Sequence, residues 1–398
     1  DRIYLDNSAT TPLRTDVADA MRETCAANYN PNSLHAEGRR ARAALDTARE
    51  RIASLLGALR SEIVFTSSGT EANNLALLGV VRAGPAGSAV VAAATEHASV
   101  LSALERLAEE GVETTAIPVD SDGRVAAALF SEALHPGTVL ASVGYANNEI
   151  GTVQPVAELA RIARGRGILF HTDAVQAPGW LPLDVRELGV DLLSLSAHKF
   201  HGPKGVGALF IRRGTPIAPI IYGGGQEFGL RPGTQNLAGI VGMTRALELA
   251  QLERPDQSGR VAALRDRLEA GILAAIPDVR VNAVEPRLPS ILNVSFGGAE
   301  SAALLIALDL AGIAASAGSA CTSGSLEPSH VLAALGVERR WQEGAIRFSL
   351  GRETTSAEIE HVLQVMPGLV AEVRRPTGRL AGGMGRLKVN GARLERKA

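Results

Sequence analysis

The sequence predicts an α/β protein: a large unit whose mostly parallel sheet is flanked by helices, plus a smaller α+β unit. Three observations carry this. Short apolar runs alternate with amphipathic stretches of crossover length, the pattern of parallel strands joined by covering helices. The 42 glycines and 19 prolines, beside only 4% aromatic residues, fit a loop-rich α/β chain rather than a sandwich or a bundle. A chain of 398 residues, 46% hydrophobic, can bury one large core and a second, smaller one.

The elements follow in order. Arg2 to Asp6 alternates like a strand, with no basic-then-apolar leader ahead of it, although the chain also lacks an initiator Met. Leu13 to Tyr29 and Gly38 to Leu56 carry helical apolar spacing. Glu62 to Thr66 is a short strand that runs into the small-residue turn Ser67-Ser68-Gly69-Thr70, with a helix beginning near Glu71. Strands are then expected at Ala89 to Ala93, Thr114 to Pro118, Thr138 to Tyr145 and Ile168 to His171. The helices between them run from His97 to Glu110 and from Val156 to Gly165. Asp191 to Ser194 and Ala208 to Ile211 complete the strands of the first unit. A long helix from about Ile240 meets the polar stretch Gln251 to Gln257, and beyond it come a helix from Gly259 to Ile276, a strand from Ile291 to Phe296, and helices from Ser301 to Ala311 and from Ser356.

These shifts place expected boundaries at 1–15 for an N-terminal segment associated with the small domain, 16–255 for the large domain, 256–373 for the small one and 374–398 for a basic tail with little apolar periodicity. The balance of 40 basic and 42 acidic residues argues against nucleic acid or an anionic membrane as the main partner, and no apolar run reaches spanning length. Two cysteines, Cys25 and Cys321, cannot build a disulfide framework or a structural zinc site alone, so a reducing, cytoplasmic setting is expected.

The chemistry concentrates in a few places. Ser196-Ala-His198-Lys199 stands at a strand end before a Gly-Pro turn, with hydroxyl and imidazole donors one and three residues ahead of the lysine. A lysine that must hold a carbonyl compound covalently needs such a rigid base, with phosphate-binding groups beside it. An ordinary surface lysine is the bland alternative. Asp173 follows the apolar strand Ile168-Leu-Phe170, where α/β sheets place ligand chemistry, and could pair with a pyridinium nitrogen; Gln176 could donate to a phenolic oxygen. A helix N-cap would explain Asp173 equally well. Gly69 and Thr70 open a helix whose free N–H groups suit a phosphate. His97 could stack over a planar ring or simply start a helix.

Taken together, Leu5 to Pro12, Asn30-Pro-Asn-Ser-Leu-His35, Glu96-His97, Asn147-Asn-Glu-Ile-Gly151, His171-x-Asp-Ala-x-Gln176, Ser196-x-His-Lys199 and Gly318-Ser-Ala-Cys321 resemble the cysteine desulfurases, from about Ile3 to Arg352 and in the family's order. These belong to the class V aminotransferase branch of fold-type I pyridoxal-phosphate enzymes. The resemblance implies pyridoxal 5'-phosphate as cofactor, with Lys199 as its Schiff-base lysine, Asp173 as pyridinium partner and His97 as the stacking, proton-moving histidine. It further implies Gly69, Thr70, Ser196 and His198 at the phosphate, and Asn148 and Gln176 at the ring substituents. Arg347 would grip the substrate carboxylate, with Asn148 beside it, and Thr234 would complete the phosphate site of a neighbouring subunit in a homodimer.

Cys321 lies in a small-residue stretch from Ala314 to Pro328 without helical or strand period, unlike a core cysteine. The resemblance makes it the thiolate that takes sulfur from L-cysteine as a persulfide, leaving alanine, with His97 as an assistant. A sulfur-acceptor protein, such as an iron–sulfur scaffold, would then be the partner. Trp180 stands where a lysine is common in the family, and His201 where a tyrosine is frequent; the tail does not resemble the partner-docking tail of the better-known members. A selenocysteine lyase, another class V enzyme, or an inactive partner protein of the same fold are the alternative readings.

Overall fold

The computed structural model describes residues 2–27, 29–283, 285–318 and 329–375. A short strand β1 (Ile3–Tyr4) precedes the seven strands of the central sheet: β2 (Ile63–Thr66), β3 (Ala89–Ala93), β4 (Glu113–Ile117), β5 (Thr138–Ser142), β6 (Leu169–Asp173), β7 (Leu192–Ser196) and β8 (Gly207–Ile211). Their order across the sheet is β2-β8-β7-β6-β5-β3-β4. The β7–β6, β6–β5, β5–β3 and β3–β4 pairs are parallel, and β8 runs against both its neighbours. The mostly parallel α/β architecture read from the sequence is therefore present.

Because strands alternate their side chains, a sheet covered on both faces needs apolar residues at every position. This one has them. Val91, Ala93, Ala141, Phe170 and Leu193 join one cluster, with helices Ala36–Leu56 and Val156–Gly165. Their neighbours Val90, Ala92, Leu140 and Leu192 join another, under helices Gly69–Ala83 and Ala98–Glu109.

The remaining strands are β9 (Val279–Val281), β10 (Ile291–Phe296), β11 (Ile313–Ala314) and β12 (Ala345–Ser349). β12, β10 and β9 form an antiparallel sheet, and β1 pairs with β11 in parallel. These pack with helix Ser356–Val373 into a separate apolar cluster. The polar stretch Gln251 to Gln257 lies inside a helix rather than after one. One helix, Leu237–Ala275, runs through, with Pro255 inside it. Its first half contributes Leu237, Ile240, Met243 and Leu247 to the large core, and its second half Val261, Leu264, Leu268 and Ile272 to the other. Pro255 is exposed and has no N–H to give, so the carbonyl of Gln251, four residues earlier, goes without its helical donor. Among the described residues, no helix is long and apolar enough to cross a membrane.

Candidate active site

A cavity of about 200 Å³ opens at the carboxyl ends of the central strands, the place where parallel sheets leave backbone groups and helix starts facing one another. The ends of β2, β3, β5, β6 and β7 lead residues to it. β2 leads through Ser67 and Ser68 into helix Gly69–Ala83; Ser68 Oγ accepts from Glu71 N, capping the helix. The first N–H groups of a helix lack intrahelical acceptors, and Gly69 and Thr70 line the cavity. A Cβ at residue 69 would lie 2.7 Å from a Val175 methyl carbon and 3.3 Å from Ser196 Cβ, so only glycine lets this helix start sit against β7.

β3 leads to Thr95-Glu96-His97, with His97 as the N-cap of the next helix. Burial, then the nearby Lys199 charge, lowers the imidazole's pKa, against the opposing pull of Asp173. Glu96 is fully buried and accepts from Gly144 N at 2.6 Å; burial pushes its carboxyl up to about 8. β6 ends on Asp173, which accepts from Val175 N at 2.9 Å and from Asn73 Nδ2 at 2.7 Å. No helix follows it, so the N-cap alternative does not apply. β7 ends on Ser196, and a single 3₁₀ turn, Ala197–Lys199, carries His198 and Lys199 into the cavity. Lys199 Nζ donates to the carbonyls of Ser8 and of Ala9, the latter at 2.9 Å. Burial, with Lys199 and Lys204 nearby, pushes His198 down to about 4. Its Nδ1 lies 3.2 Å from Thr10 Oγ1.

Arg347 enters from β12. It is not a surface residue: only 1% of it is accessible. Its Nη1 donates to the Asn148 carbonyl at 2.9 Å and its Nη2 to Asp6 Oδ1 at 2.8 Å, while Nε has no acceptor among the described residues. A buried guanidinium with an open N–H is ready for a further carboxylate.

Of the residues singled out from sequence, Gly69, Thr70, His97, Asn148, Asp173, Gln176, Ser196, His198, Lys199 and Arg347 all line this one cavity. Gln176 also donates to the Ser8 carbonyl at 3.1 Å. Thr234 is exposed and does not line it, and Lys204 is exposed beyond the turn. Cys321 lies outside the described residues. Cys25 is exposed on the first helix, Thr15–Ala26. Sequence reasoning gave no role to Asp6, Asn73, Ser99 or the Ser8 and Ala9 carbonyls. Asp6 and Ser8 fall within a motif quoted for the resemblance, which was the available signal.

The donor set suits pyridoxal phosphate. A helix start with Thr70, Ser196 and His198 offers uncharged donors for a phosphate, Asp173 offers a carboxylate, and Lys199 an amine. The family model for class-V aminotransferases matches residues 3–362. The chain belongs to that family. Within it, the chain is 47% identical to a cysteine desulfurase IscS of Dictyoglomus turgidum, over 94% of this chain and 95% of that one. It is 48% identical to a cysteine desulfurase of Cereibacter sphaeroides, over 94% and 97%. A solved NifS-like protein superposes with a TM-score of 0.88 at 38% identity, covering 94% of this chain and all of that one. Cysteine desulfurase activity, and pyridoxal phosphate as the cofactor general to the family, follow from this membership.

Proposed function

We propose that the cavity is the desulfuration site, with Lys199 holding the cofactor and Cys321 accepting the sulfur of L-cysteine. The single observation that supports this best is the convergence of Lys199, Asp173, His97 and Arg347 on one cavity from four different strands. Bound pyridoxal phosphate supplies an electron sink for the pair left at Cα. The protein's own residues do the rest. Gly69, Thr70, Ser196 and His198 bind the phosphate; Asp173 faces the ring nitrogen, and Asn148 and Gln176 the ring substituents. Arg347 pairs with the substrate carboxylate, and Lys199 takes the Cα proton. Cys321 thiolate attacks the substrate sulfur: the S–S bond forms as the Cβ–S bond breaks. The electron pair stays on Cβ, which gains a proton to become the alanine methyl.

The residues on either side of the Cys321 segment support its part. A Cβ at Gly318 would lie 3.1 Å from Glu149 Oε2, and Ser329 Oγ donates to the same oxygen at 2.5 Å. Glu149 follows Asn148 directly, and His330 Nε2 lies 2.9 Å from the Glu96 carbonyl. Both ends of the segment thus start beside the cavity. The persulfide would pass to an acceptor protein, for iron–sulfur cluster assembly or another thio-cofactor, from a cytoplasmic homodimer.

Cys321→Ala separates the two halves of this reading. The variant keeps Lys199, Asp173 and Arg347, so it binds cofactor and its visible absorbance still responds to added cysteine. Alanine production and protein-bound persulfide fall by orders of magnitude, as when a nucleophile rather than a helper is removed. Normal alanine production would refute the thiol's role. Lys199→Ala should abolish both the covalently held yellow absorbance and desulfuration.

A further inference from the structure

We propose that Asn73 and Ser99 are positioning residues that hold His97 as the neutral tautomer protonated on Nε2 and tie it, through a directed hydrogen-bond chain, to Asp173. This rests on the reading of His97 and Asp173 as cofactor-side residues. The direction of the chain can be read from its two ends. Ser99 N donates to His97 Nδ1 at 3.1 Å. A backbone N–H can only donate, so Nδ1 carries a lone pair, and the proton of the neutral ring is on Nε2. Ser99 Oγ lies 2.8 Å from the same nitrogen, so its hydroxyl hydrogen points there too.

At the other end, the Asp173 carboxylate can only accept, so the Asn73 amide must turn its nitrogen toward it. That nitrogen donates to Asp173 Oδ2 at 2.7 Å and to Ser99 Oγ at 2.8 Å. The amide oxygen is left buried without a partner among the described residues. A flipped amide would place that oxygen against the carboxylate. The unpaired oxygen is therefore the cost of the orientation that the chain requires. Donation runs outward from Asn73 in both directions, to Asp173 and, through the Ser99 hydroxyl, to His97. Both Asn73 and Ser99 are buried.

Charging His97 would put a hydrogen on Nδ1, facing a Ser99 N–H that the first turn of helix Ala98–Glu109 fixes in place. The positive end of that helix opposes the same charge. The other groups acting on the ring are Lys199 and His330, which also oppose it, and Asp173 and Glu149, which favour it. His97 enters turnover with the proton on Nε2, able to give it first.

The test uses the full-length, cofactor-loaded protein with ¹⁵N-labelled histidine, His97 being assigned by comparison with His97→Gln. Long-range ¹H–¹⁵N correlation should show His97 protonated on Nε2. Ser99→Ala, which keeps the backbone donor, should leave the ring protonated on Nε2 but raise the proton affinity of His97 roughly fivefold, the net worth of one hydrogen bond; Ser99→Thr should restore it. Asn73→Ala should act in the same direction and add nothing to Ser99→Ala. A wild-type ring protonated on Nδ1, or a Ser99→Ala ring indistinguishable from wild type, overturns the proposal. Full desulfuration by His97→Gln would instead overturn the catalytic reading of His97 and leave the tautomer result standing.

Discussion

His171 shows how a single side chain can make this fold sensitive to acid. It is fully buried on β6, with Nδ1 2.8 Å from Ser142 Oγ on β5 and Nε2 3.0 Å from Ser194 Oγ on β7. Each hydroxyl can donate or accept, so the pair satisfies the ring in either state, and it is burial that opposes the charge. Burial pushes its pKa down from 6.5 to about 4. Between those values the unfolded chain binds a proton that the folded one refuses. Stability present above pH 6.5 is therefore lost as pH falls toward 4, by about 2 kcal/mol between pH 7.5 and 5. Urea unfolding of wild type and His171→Gln at both pH values checks this: the advantage of wild type should shrink by that amount in acid. An unchanged difference would refute it. At this scale the sequence was legible where chemistry and neighbourhood coincide, as at Ser196-x-His-Lys199. It was silent about Asn73, Ser99 and Asp6, whose meaning comes from partners 26, 100 and 341 positions away.

Elements were legible wherever apolar period decided them, as for β3 and helix Val156–Gly165, both found at their expected bounds. β12 went unread because Arg347 interrupts its apolar pattern, and the interruption is the functional residue. The turn Glu227–Gly229 was equally hidden: Glu227 and Phe228 have φ of 47° and 58°, a region few non-glycine residues adopt. A buried ion pair holds it there. Glu227 accepts from both Arg49 Nη atoms at 2.7 Å, from Phe65 N at 2.8 Å and from Gln235 at 3.1 Å. The guanidinium lies between the rings of Phe65 and Phe228. Glu227→Gln leaves Arg49 charged, buried and uncompensated, which should cost about 3–5 kcal/mol in urea unfolding. Arg49→Met combined with Glu227→Gln should cost less than Glu227→Gln alone, since a glutamine oxygen still serves Phe65 N and no unpaired charge remains. Additive costs would show that the two residues do not act as a pair.

For the molecule as a whole, the surface of one chain looks incomplete beside that turn. Tyr222 is 80% exposed, Phe228 57% and Ile221 46%, and Thr234 faces outward in the same stretch. Apolar side chains grouped in this way favour association, and in the homodimer that the resemblance implies Thr234 would complete the neighbouring phosphate site. Sedimentation at assay concentration should show a dimer, and Tyr222→Ser with Phe228→Ser should shift it toward monomer with weakened cofactor retention. A fully active wild-type monomer would refute this. Composition allowed for more than one core, but the contacts joining the ends of the chain were not visible in it. β1 lies against β11, Asn7 and Ser8 bond to Ser349, and Asp6 meets Arg347. That closure has a consequence in time. Residues 3–8 are made before their partners at 313–349, by roughly twenty seconds to a minute at ordinary elongation rates. Until then the segment whose carbonyls receive Lys199 has no strand to rest on. The synthesis of residues 313–349, rather than the completion of the large sheet, therefore sets the earliest moment at which a newborn chain can assemble its site.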